Sequence, residues 1–217
     1  IPAAFVVQYL GTTYLRWPMV LAPSPHLKNI RYWSLVGGFV CIFLVGAIDD
    51  VFQLKPLHKL LGQVLAASVA VGGGLVIGVT EGPLCMGWLS YLVTVAYLVA
   101  YVNIFNLIDG LDGLASGLTC IAGFTMFVLA VMAGRADAAT LAIATAGACL
   151  AFLRYNFHPA SVFLGDSGSL LLGFSMGVVS LLSVARIAGL TTIIVPLVIA
   201  GIPIIDTLSA IVRRSRA

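Results

Sequence analysis

A polytopic α-helical membrane protein is the fold class this sequence predicts, and three observations predict it. The 217 residues are 61% hydrophobic and 9% charged, against about 25% charged in an ordinary soluble domain. The mean hydropathy of +1.12 is more apolar surface than a fold of this size can hide from water. The apolar residues fall in runs approaching the roughly 20 that match a hydrocarbon core of about 30 Å, and helices satisfy their own backbone there. Segments of about 10 residues with alternating polarity, which a barrel needs, are not seen.

Eight spans, all within one transmembrane domain of residues 1–217, are expected in chain order. The first, near 2–21, is interrupted by Arg16 and Pro18. The others run near 33–48, 57–79, 84–108, 113–134, 138–153, 168–185 and 190–211. Several are shorter than about 20 residues, so tilt or burial among neighbours is expected. Gly72, Gly73 and Gly74, and the Ala/Gly set of 142–151, read as close helix packing. No nucleotide-loop fingerprint or internal repeat is seen. The segment IPAAFVVQYL lacks the basic flank and cleavage site of a signal peptide, and IVRRSRA stops as a loop begins. We therefore expect a chain cut from something longer at both ends.

Counting crossings sorts the polar residues by membrane side. One side receives Asp49, Asp50, Asp109, Asp112, Asp166 and Asp206, leaving Glu81 and Asp137 for the other. Lys55, Lys59, Arg154, Arg213, Arg214 and Arg216 gather with the larger acidic group, a side the positive-inside rule makes cytoplasmic. Lys28 and Arg31 count against that orientation. The net charge of +3 and the absence of a basic block give no reason to expect a nucleic-acid partner. Cys41, Cys85, Cys120 and Cys149 are scattered through apolar stretches and read as small core hydrophobes.

Four stretches carry chemistry. In "IFNLIDGLDGLASG" Asp109 and Asp112 stand three apart, so on a helical turn their carboxylates face the same way. At about 4 Å two such charges repel by about 4 kcal/mol at an effective dielectric of 20, which a proton or a cation relieves. Asn103 and Asn106, one turn apart, can donate amide hydrogen bonds to a phosphate or carbonyl; a polar loop is the plain alternative. In "AIDDVFQLKPLHKLLGQ" Asp49 and Asp50 diverge by about 100° on a helix and so do different jobs. Lys59 and Gln63 share one face, where an ammonium suits a phosphate oxygen. In "YNFHPASVFLGDSGSLLLG" Asp166 stands at a helix start, as a simple cap or as a metal-binding carboxylate beside N–H groups that favour phosphate. Asp206 follows Pro203 near the end of a span, where a helix–helix hydrogen bond is as good a reading. Together these groups describe a site for a divalent metal and a pyrophosphate.

The blocks "DDVFQLKPLHKLLGQ", "NIFNLIDGLDGLASG", "FLGDSGSLLLGF" and "PIIDTLSAIVRR" occur in the order found in the polyprenyl-phosphate N-acetylhexosamine-1-phosphate transferases. The chain resembles this superfamily of WecA, TagO and MraY over roughly residues 40–216, with the last blocks nearer the WecA/TagO branch. The resemblance implies transfer of N-acetylhexosamine-1-phosphate, GlcNAc-1-phosphate before others, from a UDP-N-acetylhexosamine to polyprenyl phosphate. UMP is released, with Mg²⁺ or Mn²⁺ as cofactor, at the cytoplasmic face of a bacterial plasma membrane. It implies Asp166 as a metal ligand, joined by Asp109, and Asp49 and Asp50 as the pair tied to the lipid phosphate. Asn106, Asp109 and Asp112 would lie around nucleotide and metal, Lys59 near the diphosphate, and Asn103 and Asp206 among the substrate-binding groups. Assembly into a homodimer stays open.

The family's N-terminal helix and its H-x-H-H loop are not among these residues, so a molecule lacking them is expected to bind metal but turn over poorly. An MraY-type transfer of phospho-MurNAc-pentapeptide is the nearest alternative. A carboxylate-lined secondary transporter, with its acids near the midplane, is the alternative of another class.

Overall fold

The computed structural model describes residues 32–76 and 88–184. Six helices fill them: α1 Tyr32–Phe52, α2 Pro56–Gly72, α3 Trp88–Ile108, α4 Leu114–Met132, α5 Ala136–Asn156 and α6 Gly165–Val184. No strand occurs among the described residues. All but α2 are long and apolar enough to cross a membrane. The 17 residues of α2 span roughly 25 Å at about 1.5 Å per residue, somewhat less than the hydrocarbon core. The spans expected near 2–21 and 190–211, Asp206, and Cys85 lie outside the described residues.

Helix α6 is the centre of the bundle and packs on α1, α3, α4 and α5. Its Leu170, Phe174, Met176, Val178 and Val179 are fully enclosed, and Phe174 meets Phe39 of α1 edge to face at 5.1 Å. Gly173 lets α3 come close: a Cβ there would stand 2.7 Å from the Tyr101 carbonyl oxygen. Helices α4 and α5 pair through small residues, Gly123 against Ala142 and Ala146, as the Ala/Gly set predicts. Hydroxyls inside the helices satisfy themselves on the carbonyl four residues back, as Thr94, Thr119, Thr145 and Ser175 do. Val40, Phe43, Leu44, Ile121, Phe124 and Met132 point outward, as lipid-facing side chains should.

The helix ends differ from the expected spans in ways that matter for the site. Helix α1 runs four residues beyond the expected end at 48, so Asp49 and Asp50 ride on its last turn instead of a loop. Hydropathy stops at charges, whereas a helix continues wherever those charges find partners. The same holds for α6, which begins at Gly165 and takes Asp166 into its first turn. In the other direction, α2 stops at Gly72, short of the expected 79, because Gly73 and Gly74 close it. Of that glycine run, Gly73 lies against Ser34, but a side chain at Gly72 would meet nothing; the run is a terminator as much as a packing surface. Tyr32 at the start of α1 hydrogen-bonds Asp137 at the start of α5. The ends opposite to these carry the remaining acids of the described residues, as the crossing count predicts.

Candidate active site

Four helix ends meet at one rim. Asp49 sits on the last turn of α1 and is only 6% exposed. Its Oδ1 accepts the Leu54 N–H at 2.6 Å, which turns the chain toward Pro56 and the start of α2. Its Oδ2 lies 2.8 Å from Nζ of Lys59, one turn into α2. The same ammonium donates to Oδ1 of Asp166 at 2.7 Å and to Oδ1 of Asn106 at 3.2 Å. Asn106, near the end of α3, returns its amide N–H groups to Asp166 and, at 3.0 Å, to Ser169 Oγ. One ammonium and one amide thus tie together carboxylates that are 117 positions apart in sequence, the separation between Asp49 and Asp166 being that of Asp50 and Ser167.

Asp50 faces elsewhere, as the angle between adjacent helical residues requires. It accepts the backbone N–H of Asp166 at 2.7 Å on one oxygen and that of Ser167 at 3.0 Å on the other. The expectation that this helix start is open to a phosphate is therefore corrected: the first N–H groups of α6 are held by a carboxylate of α1. Gly46, four residues before Asp50, makes the approach feasible, since a Cβ there would lie 2.7 Å from Ser167 N.

Asp109 and Asp112 part company. Helix α3 ends at Ile108, and residues 109–113 form a turn, because Gly110 and Gly113 break the helix that would have stacked the two carboxylates. Asp109 is half-buried; burial first and the charge of Asp166 second raise its carboxyl to about 6. Asp112 turns to the loop after α5, accepting the Ala160 N–H at 3.1 Å and meeting His158 Nδ1 at 3.0 Å. The Ala160 hydrogen bond and His158 hold its carboxyl below the usual range. So Asp109 is not stacked with Asp112, and the neighbouring charge that raises its carboxyl is that of Asp166.

Asn103 lies deeper than Asn106. Its amide does not reach the rim; it donates to Gln63 Oε1 at 2.7 Å and to the Val99 carbonyl at 2.8 Å, one turn deeper in the bundle. Gln63 itself is 1% exposed. The structure also brings in residues that sequence reasoning passed over. Asn156, at the end of α5, accepts from Gly113 N at 3.2 Å and Ser116 Oγ at 3.1 Å and donates to the Val162 carbonyl at 3.0 Å. It thereby fixes the 109–113 turn against the loop that leads to Asp166. Its signal was a lone amide directly after an apolar span; Gly46 gave none.

Among the described residues the rim holds more negative than positive charge. Lys59 offsets one of its two carboxylates, and Asp109 adds another negative charge above about pH 6. Among the described residues no three Asp, Glu, His or Cys side chains converge to cage a metal. What the site offers is a pair of hard oxygen donors, Asp166 and Asp109. That suits Mg²⁺, which is commonly held by one or two carboxylates with substrate phosphates completing its shell.

Comparison with known proteins gives this geometry a context. The chain is 42% identical over 200 residues to a Bacillus subtilis protein described as a probable undecaprenyl-phosphate N-acetylglucosaminyl 1-phosphate transferase, covering 90% of this chain and 56% of that one. It is 38% identical to the phospho-N-acetylmuramoyl-pentapeptide-transferase of Moorella thermoacetica, covering 90% and 63%. It is 37% identical to the decaprenyl-phosphate N-acetylglucosaminephosphotransferase of Mycolicibacterium smegmatis, covering 81% and 50%. The chain thus spans about half to just under two thirds of the length of these curated relatives. The residues that form the rim, from the end of α1 to the start of α6, all lie within the 32–184 stretch that matches the model of one family, and the chain belongs to glycosyl transferase family 4.

Proposed function

We propose that this chain transfers N-acetylhexosamine-1-phosphate, in the first instance GlcNAc-1-phosphate, from a UDP-sugar to polyprenyl phosphate. In this reading an oxygen of the lipid phosphate attacks the phosphorus that carries the sugar. The new bond is the P–O–P link of polyprenyl-diphospho-N-acetylhexosamine. The bond broken is that from the same phosphorus to the bridging oxygen, which leaves with UMP. A polyprenyl phosphate is largely ionised at neutral pH, so the step calls for positioning and charge neutralisation more than for a strong base.

The observation that carries the reading is the meeting of Asp49, Lys59, Asn106 and Asp166 from four helix ends at one rim. Lys59 is placed to share a phosphate oxygen when the diphosphate displaces one of its carboxylates. Asn106 orients the Asp166 carboxylate. Asp166 and Asp109 would hold a Mg²⁺ or Mn²⁺ ion, which when bound supplies charge neutralisation on the diphosphate. Asp112, with its loop, and Asp206 are proposed to face the nucleotide sugar. The wall of α1 and α2, with Leu57, Leu60 and Leu61 turned outward, is suited to admit a lipid phosphate from the bilayer. The site would face the cytoplasm of a bacterial plasma membrane, where the basic residues gather and nucleotide sugars are found.

The Moorella relative's printed activity favours one second reading, the same transfer with a UDP-MurNAc-pentapeptide. Membranes carrying the chain, given labelled UDP-GlcNAc or UDP-MurNAc-pentapeptide and polyprenyl phosphate, distinguish the two. Labelled lipid and UMP in equal amounts from UDP-GlcNAc support the first reading. Product from the pentapeptide donor alone supports the second, and none from either donor refutes both.

A further inference from the structure

We propose that Asp50 is a positioning residue that fixes the Asp166 carboxylate by gripping the backbone of that residue from a neighbouring helix. The inference deepens the reading above, because it assigns the second aspartate of the "DD" pair a task that touches neither substrate nor metal.

The geometry divides the pair cleanly. Asp49 turns its Oδ2 to Lys59. Asp50 offers both oxygens to the first N–H groups of α6, those of Asp166 and Ser167. Those amides have no partner within their own helix, and a negative charge there is favoured by the helix dipole. A cap normally comes from the residue just before the helix. Here the residue before α6 is Leu164, which has no side-chain acceptor, and the first helical residue is Gly165, at φ +68°, where any Cβ would stand 3.0 and 3.1 Å from the Asp50 oxygens. The helix therefore has no side chain of its own to cap with, and the cap comes from α1.

Gly46 completes the seat. It lies one turn before Asp50 on α1, and its bare backbone lets the Asp166 carbonyl and Ser167 settle against the helix. With the main chain of Asp166 held on this side, its side chain emerges on the other, toward Lys59 and Asn106. Each Asp50 oxygen already accepts one of these amides, so a proton or a metal taken up there would weaken the grip on α6. The charge of Asp50 thus acts through the place it gives Asp166.

A cap and a base respond differently to the same substitutions. An Asn side chain retains one oxygen that can accept an N–H, but it neither ionises nor takes up a proton near neutrality. The full chain in detergent is compared with Asp50→Asn, Asp50→Ala and Gly165→Ala, which leaves the Asp50 carboxylate intact but crowds it. We expect amide hydrogen exchange at Asp166 and Ser167 to quicken by about tenfold in Asp50→Ala. The increase should be smaller in Asp50→Asn, with the middle of α6 unchanged. Mn²⁺ affinity should weaken in the same order, and turnover lost in Asp50→Ala should partly return in Asp50→Asn. Gly165→Ala should resemble Asp50→Asn in exchange and in Mn²⁺ affinity.

Equal inactivity of Asp50→Asn and Asp50→Ala, with the Asp166 and Ser167 amides as protected as in the wild type, would overturn the proposal. So would a Gly165→Ala protein with wild-type exchange and Mn²⁺ binding. If Asp50→Ala does not fold, the other two variants still decide. Exchange and Mn²⁺ binding need no substrate, so failure of the transfer reading is seen separately, in the wild-type activity alone.

Discussion

Lys59 Nζ lies 2.7 Å from Asp166 Oδ1 and 2.8 Å from Asp49 Oδ2, so a single ammonium joins the end of α1 and the start of α6 to α2. The side chain is only 16% exposed and Asp49 only 7%, so these charges depend on one another more than on water. The pairing holds the rim together before substrate arrives, and among the described residues it leaves a net negative charge for a cation.

Removing that ammonium should therefore be costly for both fold and activity. Lys59→Met leaves two carboxylates facing each other, and breaking a buried pair from one side costs about 3–5 kcal/mol, with Asp166, about a third exposed, contributing the smaller share. We expect a clear fall in melting temperature and a loss of transfer of about a hundredfold or more. Lys59→Arg should rescue the stability better than the turnover, because a planar guanidinium cannot reproduce three separate contacts of a compact ammonium. Thermal denaturation and UMP release, measured side by side, check this.

Gly46→Ala should displace the start of α6. The added methyl would meet Ser167 and the Asp166 carbonyl, backbone atoms that cannot swing aside. Overpacking of this kind costs about 1–3 kcal/mol. The loss of transfer should exceed what the small change in melting temperature suggests, since Asp166 moves with its backbone. Gly72→Ala, where a Cβ meets nothing, is the control and should change neither.

The contrast between Gly46 and Asp166 also marks how far the sequence could be read. The helices, their order and the gathering of acids at one end followed from hydropathy and crossing parity, because a bilayer imposes length and polarity on each span. The rim position of Asp49, Lys59, Asn106 and Asp166 followed from the same count. What could not be read was direction. A spacing of three groups Asp112 with Asp109 only if the helix continues, whereas α3 ends at Ile108 and the turn through Gly110 and Gly113 separates them. Asn103 was placed with Asn106, yet a turn of helix puts its amide against Gln63 instead. Gly46 has its importance from a neighbour 121 positions away, since Ser167 rests on it, and no local pattern reports such a contact.

The raised carboxyl of Asp109 gives a pH signature. Its value of about 6, against the ordinary 3.8, means that the folded protein takes up this proton before the unfolded chain does. Stability is therefore reduced above about pH 6 and recovers as the pH falls from there toward 4. In metal-free detergent solution the wild type should gain melting temperature between about pH 7 and pH 5. Asp109→Asn should lack this gain, and Asp166→Asn, which removes a neighbouring charge, should diminish it.

Asn156 and Asp112 hold the same loop with different weight. Asn156→Ala strands the Gly113 N–H, the Ser116 hydroxyl and the Val162 carbonyl, and an unmet buried polar group costs about 1–3 kcal/mol. A fall of about 2 kcal/mol or more in stability is expected. Asp112→Asn keeps an oxygen for the Ala160 N–H and weakens the exposed contact with His158, so it should leave the melting temperature near the wild-type value while weakening binding of the nucleotide sugar. Denaturation midpoints and the KM for UDP-GlcNAc separate these effects.

Binding of Mn²⁺ to the purified chain, followed by electron paramagnetic resonance with and without UDP-GlcNAc, tests the central claim most directly. One ion per chain is expected, bound more tightly with the nucleotide sugar present, and weakened by about tenfold or more in both Asp166→Asn and Asp109→Asn. Mn²⁺ bound as tightly by both variants as by the wild type would contradict it.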